Sequence, residues 1–206
     1  MKELEEIKLN LGAIERHLIE FENLLKSSTE IEENILLKFF QSRPQLVSFI
    51  GILTDFGYSN RYAYEFPIVG EFKTDFIVGS AEEHSYLLIE FESAKNDSIF
   101  KKKSRSLKEW SPRFEHGYSQ IVDWFWQIQD IARTDILKRT FGVEHIKYNG
   151  LLVIGRNKGL SEADSSRLMW RRDNVLVNNR KINCLTYDQL FELLEQKIKH
   201  LKSLRS

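Results

Sequence analysis

Cysteine is almost absent from this sequence. Cys184 is the only cysteine among 206 residues, so the chain forms no internal disulfide and offers no cysteine-based zinc site. A single thiol fits a reducing compartment, and we expect a cytoplasmic protein.

Long apolar runs are also missing. No stretch approaches the roughly 18 residues that a membrane span needs. The first twenty residues are amphipathic and acidic, which is unlike a signal peptide. We therefore expect no membrane partner.

The chain carries no net charge, because 30 basic residues balance 30 acidic ones. The two signs are unevenly spread: acids dominate the first thirty residues, and basic residues cluster at 101–105 and at 167–181. A basic cluster acts locally, within about a Debye length of roughly 8–10 Å. A neutral total therefore does not exclude a polyanionic partner.

Two common kinds of site are not indicated. Neither of the glycine-rich phosphate-binding loops occurs. The five histidines show no spacing typical of metal ligands; they are His17, His84, His116, His145 and His200.

Hydrophobic periodicity predicts alternating helices and strands. The predicted helices cover residues 2–26, 30–42, 113–132, 160–173 and 187–203. The predicted strands cover residues 61–66, 73–79, 85–92, 151–155 and 181–186. Three strands in a meander, followed by helical crossovers, indicate an α/β fold with a mixed β-sheet flanked by helices.

The first predicted helix has a strict apolar seam and an acidic outer face. We expect it to pack on a partner helix, in this chain or in a second copy. It suggests a division into an N-terminal helical arm, residues 1–28, and a main domain, residues 29–206.

Three acids stand on the second and third predicted strands. Side chains alternate along a strand, so Glu90 and Glu92 point to the same face. If the hairpin turns around Glu82 and Glu83, the numbers of facing residues sum to 165, and Asp75 lies opposite Glu90. Like charges this close and half-buried repel one another unless something neutralises them.

A divalent cation would provide that neutralisation. Mg²⁺ prefers carboxylate oxygens, water and phosphate, and such a site suits phosphodiester hydrolysis. The simpler alternative is that Asp75, Glu90 and Glu92 face solvent on a one-sided sheet. The apolar residues around Glu90 favour burial instead.

The order of these features resembles the PD-(D/E)xK nuclease superfamily, and more narrowly the Shedu anti-phage nuclease family. The resemblance covers roughly residues 30–195. It is carried by short motifs around Asp75, around Glu90 and Glu92, through Ile99-Phe100-Lys101, at residues 116–124 and at residues 184–190.

The resemblance implies a restriction-endonuclease-like fold for the main domain and a metal-dependent endonuclease acting on DNA in bacterial antiviral defence. It implies Asp75 and Glu90 as ligands of Mg²⁺, with Mn²⁺ as a possible substitute. Glu92 stands where the commoner pattern has lysine. Glu92 then acts as general base or as a third metal ligand, or Lys95 reaches back to supply the ammonium group.

Further residues complete the expected site. Gln120 on the helix that covers the hairpin would position water or phosphate. An acid from the second helix would join it; spacing favours Glu33, whereas a helical wheel favours Glu32. The basic residues Lys101, Lys102, Lys103 and Arg105 follow the hairpin, and we expect them to bind DNA phosphates.

Two other functions remain open at this point. A decayed site on the same fold would make the chain a DNA-binding or protein-assembly module, and glutamate in place of lysine keeps that alternative open. A structural subunit would use the N-terminal helix to assemble. That helix, and the resemblance, lead us to expect a homo-oligomer.

Overall fold

Seven strands form one mixed sheet in the computed structural model, which describes residues 2–54, 59–69, 72–101 and 108–204. The sheet order is β1-β2-β3-β4-β5-β7-β6. The strands are β1 (Glu5–Glu6), β2 (Arg61–Val69), β3 (Phe72–Ser80), β4 (Ser85–Phe91), β5 (Lys147–Val153), β6 (Leu176–Val177) and β7 (Arg180–Leu185). The helices are α1 (Leu11–Ser27), α2 (Glu33–Gln41), α3 (Pro44–Ile50), α4 (Pro112–Asp130), α5 (Asp135–Phe141), α6 (Glu162–Asn174) and α7 (Tyr187–Ser203).

The strand directions follow from the connections. Strands β2, β3 and β4 follow one another closely in the chain, with two and four residues between them, and they pair antiparallel. Helical crossovers lead from β4 to β5 and from β5 to β7, and these pairs are parallel. The predicted α/β class, a mixed sheet flanked by helices, is confirmed, and the architecture is consistent with a restriction-endonuclease-like fold.

A hydrophobic core covers each face of the sheet. Helices α1, α2, α3 and α7 pack on one face, and α4, α5 and α6 on the other. Alternate residues of β4 divide between the two cores: Leu87, Ile89 and Phe91 join the first, and Tyr86 and Leu88 join the second. The next residue in the second row is therefore Glu90, a carboxylate at the end of an apolar stripe.

The N-terminal helix is shorter than predicted. The prediction of helix over residues 2–26 is wrong for the first nine residues, because Asn10 caps α1 by accepting a hydrogen bond from the Ala13 N–H at 3.0 Å. Before that cap, Glu5 and Glu6 pair with β2 at the sheet edge. Apolar periodicity does not distinguish such edge pairing from an additional helical turn.

Helix α1 contacts α3 and α7 of the same chain. Its buried residues Ile14, Leu18, Phe21 and Leu25 join the first core. The apolar seam thus has its packing partner within this chain. The division at residue 28 stays a prediction.

The sequence predicts only a short helical or irregular piece at residues 45–53, where α3 lies, and it does not predict β1, α5 or β6. Within the described ranges, no helix combines the length and apolarity needed to cross a membrane.

Candidate active site

The β3–β4 hairpin has the predicted register. Phe76 faces Ile89 and Ser80 faces Ser85, so the numbers of facing residues sum to 165. One step beyond the last pair, Asp75 lies beside the end of β4, where its Oδ2 accepts a hydrogen bond from the Phe91 N–H at 2.8 Å. The backbone of β4 therefore fixes the Asp75 carboxylate next to Glu90.

Helix α4 covers the acidic end of this hairpin. It begins cleanly because Ser111 caps it, accepting from the Phe114 N–H at 2.9 Å, and because proline suits its first position. Arg113, His116 and Gln120, spaced three and four residues apart, share the helical face turned to the hairpin.

Together these elements enclose a cavity of about 1000 Å³. We call it the carboxylate pocket. The predicted site residues Glu33, Asp75, Glu90, Glu92, Lys101 and Gln120 all line it, together with Asp97, Ser98, Ser111, Pro112, Arg113 and His116. The sequence thus identified both strands and the covering helix.

The carboxylates perturb one another strongly. Glu90 is only 6% exposed and Glu92 only 3%. Burial, and next the neighbouring carboxylates Asp75 and Glu92, raise the pKa of Glu90 well above its ordinary value, while the Gln120 amide acts in the opposite direction. Burial likewise raises the pKa of Asp75 to about 7 and that of Glu92 to about 7. The pocket therefore favours protons or another cation.

Among the described residues, Arg113 is the cation that contacts Glu33 and Glu92 in the pocket. Its Nη1 lies 3.0 Å from Oε2 of Glu92 and 3.2 Å from Oε2 of Glu33. The Glu92 hydrogen bond raises the pKa of Arg113, and Arg113 in turn lowers that of Glu92, against the larger effect of burial. One guanidinium thus joins the start of α2 to the end of β4.

The structure also separates the two candidates on α2. Glu33 lines the pocket, whereas the Oε1 of Glu32 lies 2.7 Å from Nζ of Lys95. Lys95 is not among the pocket-lining residues. Among the candidate site residues within the described ranges, Lys95 and the alternative acid Glu32 are not brought to the pocket.

Two close contacts hold Glu92 in position. A Cβ on Gly117 would lie 2.8 Å from Cδ1 of Leu152 and 3.2 Å from Cγ of Glu92, so α4 approaches this closely only with glycine there. From the other side, the Tyr187 hydroxyl donates to the Glu92 carbonyl oxygen at 2.6 Å. Tyr187 begins α7 directly after its cap, Thr186, which explains how the motif at 184–190 supports the site.

The predicted DNA-binding residues are only partly described. Lys101 lines the pocket, and its N–H donates to the Glu109 carbonyl oxygen at 2.9 Å. Lys102, Lys103 and Arg105 lie outside the described residues.

Sequence reasoning missed Arg113 and His116. A signal was present: they precede Gln120 by seven and four residues, which places all three on one face of the predicted helix. No sequence pattern reveals the contact of Arg113 with Glu33, which lies eighty residues away.

The donor set suits a hard divalent cation. Glu33, Asp75, Glu90 and Glu92 offer carboxylate oxygens, which Mg²⁺ and Mn²⁺ prefer. In the described part of the chain, however, no three such groups already converge as a coordination sphere. Asp75 Oδ2 accepts from the Phe91 N–H, and Glu92 Oε2 accepts from Arg113. Each carboxylate has a second oxygen, so these hydrogen bonds do not by themselves prevent cation binding.

A protein-family model matches most of the chain. The family model described as Shedu protein SduA, C-terminal, matches residues 30–191, which is most of the chain and includes every lining residue of the carboxylate pocket. No curated protein matches the chain.

Proposed function

The chain belongs to the Shedu family, and on that premise we propose that it is a metal-dependent endonuclease that hydrolyses DNA phosphodiester bonds. The observation that carries this proposal is the gathering of Glu33, Asp75, Glu90 and Glu92 around one pocket. The antiviral role rests on family membership and places the reaction in bacterial defence against phage.

The number of acids supports a cation-dependent reaction. Five carboxylates, that of Asp97 included, meet two basic side chains, Arg113 and Lys101, among the lining residues. An acidic pocket repels a phosphodiester unless a bound cation reverses its charge. Mg²⁺, or Mn²⁺ in its place, would be held by these carboxylates, and when bound it supplies charge for the phosphate and acidifies water.

Residues of the chain itself bind the phosphate and position the carboxylates. Arg113 and Lys101 bind the phosphate oxygens, and the N-terminus of α4, which faces the pocket, adds the positive end of its dipole. Gln120 holds the Glu90 carboxylate.

Glu92 is the favoured general base. Burial raises its pKa to about 7 in the metal-free protein, which makes its carboxylate a stronger proton acceptor than an ordinary glutamate. The alternative base, Lys95, pairs with Glu32 instead of lining the pocket. Glu92 thus replaces the ammonium group of the commoner motif by accepting a proton from water directly.

The test is cleavage of supercoiled and linear DNA with Mg²⁺, Mn²⁺ or EDTA. We expect metal-dependent cutting that is lost in Asp75→Asn and Glu90→Gln. Glu83→Gln is the matched control, because Glu83 is exposed at the turn of the same hairpin. Cutting that persists in EDTA, or in both site variants, would exclude this mechanism.

A DNA-binding or assembly module without cleavage is the second candidate. The observation that favours it is the Arg113–Glu92 ion pair. Glu92 stands at the position where the commoner motif has lysine, and Arg113 neutralises its carboxylate. DNA binding by the intact chain, with no cleavage under any metal, would support this module over the enzyme.

Self-association is a further proposal. The inner face of α1 is used within the chain, but Ile19 on its outer face is 59% exposed and lines a groove with Phe191 and Ile198 of α7. We propose that a second copy covers this groove. Light scattering of Ile19→Asp should then give a smaller mass than the parent protein, and an unchanged mass would rule out this surface.

A further inference from the structure

A second cavity lies on the other side of the α4 N-terminus. Its volume of about 470 Å³ falls within the range of roughly 300–1,000 Å³ found for small-ligand pockets. It is lined by Trp110, Arg167, Trp170, Arg171 and Val175. We call it the α6 cavity, and none of its residues lines the carboxylate pocket.

The α6 cavity combines an exposed aromatic ring with guanidinium groups. Trp170 is 64% exposed, an unusual state for so large an apolar side chain. Arg167 and Arg171 flank it on the same face of α6, three residues before it and one after it. An aromatic face beside arginines suits a nucleotide, because the base stacks on the ring and the phosphate pairs with a cation.

The two arginines are held by aromatic rings beneath them. The guanidinium carbon of Arg171 lies 4.2 Å from the ring centre of Tyr118, and that of Arg167 lies 4.9 Å from the ring centre of Phe100. Such contacts fix the guanidinium planes before any ligand arrives, so less entropy is lost on binding.

The two arginines differ in whether a carboxylate already neutralises their charge. Arg171 makes two hydrogen bonds with the Glu115 carboxylate, at 2.7 and 3.1 Å. Arg167 donates to the Lys108 carbonyl oxygen at 2.7 Å and forms no ion pair with a carboxylate of the described ranges. Arg167 is therefore the residue suited to a phosphate.

The α6 cavity adjoins the carboxylate pocket. Trp110 lines the cavity and Ser111, the next residue, lines the pocket, so their Cα atoms are only about 3.8 Å apart. The first turns of α4 serve both sites: Arg113 and His116 face the pocket, and Glu115 reaches α6. The two sites therefore lie next to each other at the first turn of α4.

We propose that the α6 cavity is a subsite for an unpaired nucleotide of the DNA strand held in the carboxylate pocket. The base stacks on Trp170, and the neighbouring phosphate pairs with Arg167. This inference rests on the proposed function, since it requires DNA in the pocket.

The test compares two fluorescein-labelled probes by anisotropy: a blunt duplex and the same duplex with a single-stranded overhang. The full chain carries Glu90→Gln, so that cleavage in Mg²⁺ does not consume the probe. Trp170→Ala is matched with Trp126→Ala, which removes another exposed tryptophan, 57% exposed, on α4.

We expect Trp170→Ala to weaken binding of the overhang probe about tenfold, equivalent to 1.4 kcal/mol, a value within that known for base–aromatic stacking. Binding of the blunt duplex and binding by Trp126→Ala should change less than twofold. Trp170→Phe should restore most of the affinity, because phenylalanine keeps a stacking face.

Arg167→Gln provides an independent measurement. Loss of one phosphate contact should reduce the slope of log affinity against log salt by about 0.7 for the overhang probe. Arg172→Gln is its control, because Arg172 pairs with Asp173 outside the cavity.

The contrary outcomes separate the two proposals. Overhang affinity within twofold of the parent in Trp170→Ala overturns the subsite and leaves the nuclease intact. Failure of the parent to bind either probe, both with and without Glu90→Gln, overturns the DNA partner, and the subsite with it. A smaller particle mass in Trp170→Ala, with DNA affinity unchanged, assigns the surface to a second copy and also overturns the subsite.

Discussion

Arg113 occupies an unusual position among the pocket residues, because it contacts two acids from different elements and is itself 43% exposed. A charge-assisted hydrogen bond contributes about 1.5–3 kcal/mol. We therefore predict that Arg113→Gln lowers kcat of DNA cleavage by roughly 10- to 100-fold, and that Arg113→Lys restores part of it. Arg43→Gln, which breaks the Arg43–Glu20 pair elsewhere, is the control.

The same variant should shift the pH dependence of cleavage. Arg113 lowers the pKa of Glu92, so removing it raises that pKa, and the acid limb of the pH–rate profile moves to higher pH. A profile that keeps its position while kcat falls would argue against Glu92 as the base.

Acids whose pKa is raised in the native state make stability depend on pH. Asp75 and Glu92 have pKa values near 4 in an unfolded chain and about 7 in the metal-free native protein. Between these values the native state binds more protons, so its stability is greatest below about pH 4 and falls as pH rises through 7.

We predict that Asp75→Asn/Glu92→Gln removes this loss and makes the metal-free protein more stable than the parent at pH 8, by an amount on the order of 2 kcal/mol. The measurement is urea unfolding at pH 5 and pH 8 in EDTA, with Glu83→Gln as control. Mg²⁺ should stabilise the parent at pH 8 and leave the double variant unaffected. Equal pH dependence in parent and double variant would refute the linkage.

At the scale of elements, α4 is the helix that closes the site, and its closeness depends on Gly117. Replacing Gly117 by alanine stabilises a helix by up to about 1 kcal/mol through its higher helix propensity. Its Cβ, however, would lie too close to Leu152 and Glu92. We predict that Gly117→Ala changes the free energy of unfolding by less than about 1 kcal/mol, since crowding offsets propensity. Cleavage should fall at least tenfold, because Glu92 is displaced.

Gly12→Ala provides the contrast. Its Cβ would meet only Asn10 Oδ1, at 3.5 Å, in the first turn of α1, so it should stabilise the protein and leave cleavage unchanged. Urea unfolding and initial rates, measured on both variants, check the pair. Normal cleavage by Gly117→Ala would mean that Glu92 tolerates the added methyl group.

The sequence predicted those elements whose signal is local. The hairpin register followed from the alternation of side chains and the turn at Glu82 and Glu83, and it placed Asp75 beside Glu90 correctly. The contact of Arg113 with Glu33 and the pairing of Lys95 with Glu32 depend on how α2 meets α4 and the loop after β4. No local pattern carries that information.

At the scale of the whole molecule, both faces of the sheet need their helices, and α1 belongs to the face opposite α4. The sequence suggested an arm because a strict apolar seam looks the same whether its partner is internal or external. The structure gives the seam internal partners, α3 and α7.

Removing residues 1–28 should therefore unfold the protein. The deletion exposes the surfaces that cover Ile14, Leu18, Phe21 and Leu25, and burial of each such side chain contributes about 1.5–3 kcal/mol. Four of them together amount to roughly 6–12 kcal/mol, which is comparable to the whole stability of a typical domain, about 5–15 kcal/mol.

Circular dichroism should show no cooperative melting of the deleted protein. Ile136→Ala is the control, since Ile136 is exposed on α5, outside the self-association groove, and its loss should leave melting unchanged. Cooperative melting of residues 29–206, with DNA cleavage retained, would instead establish α1 as a dispensable arm.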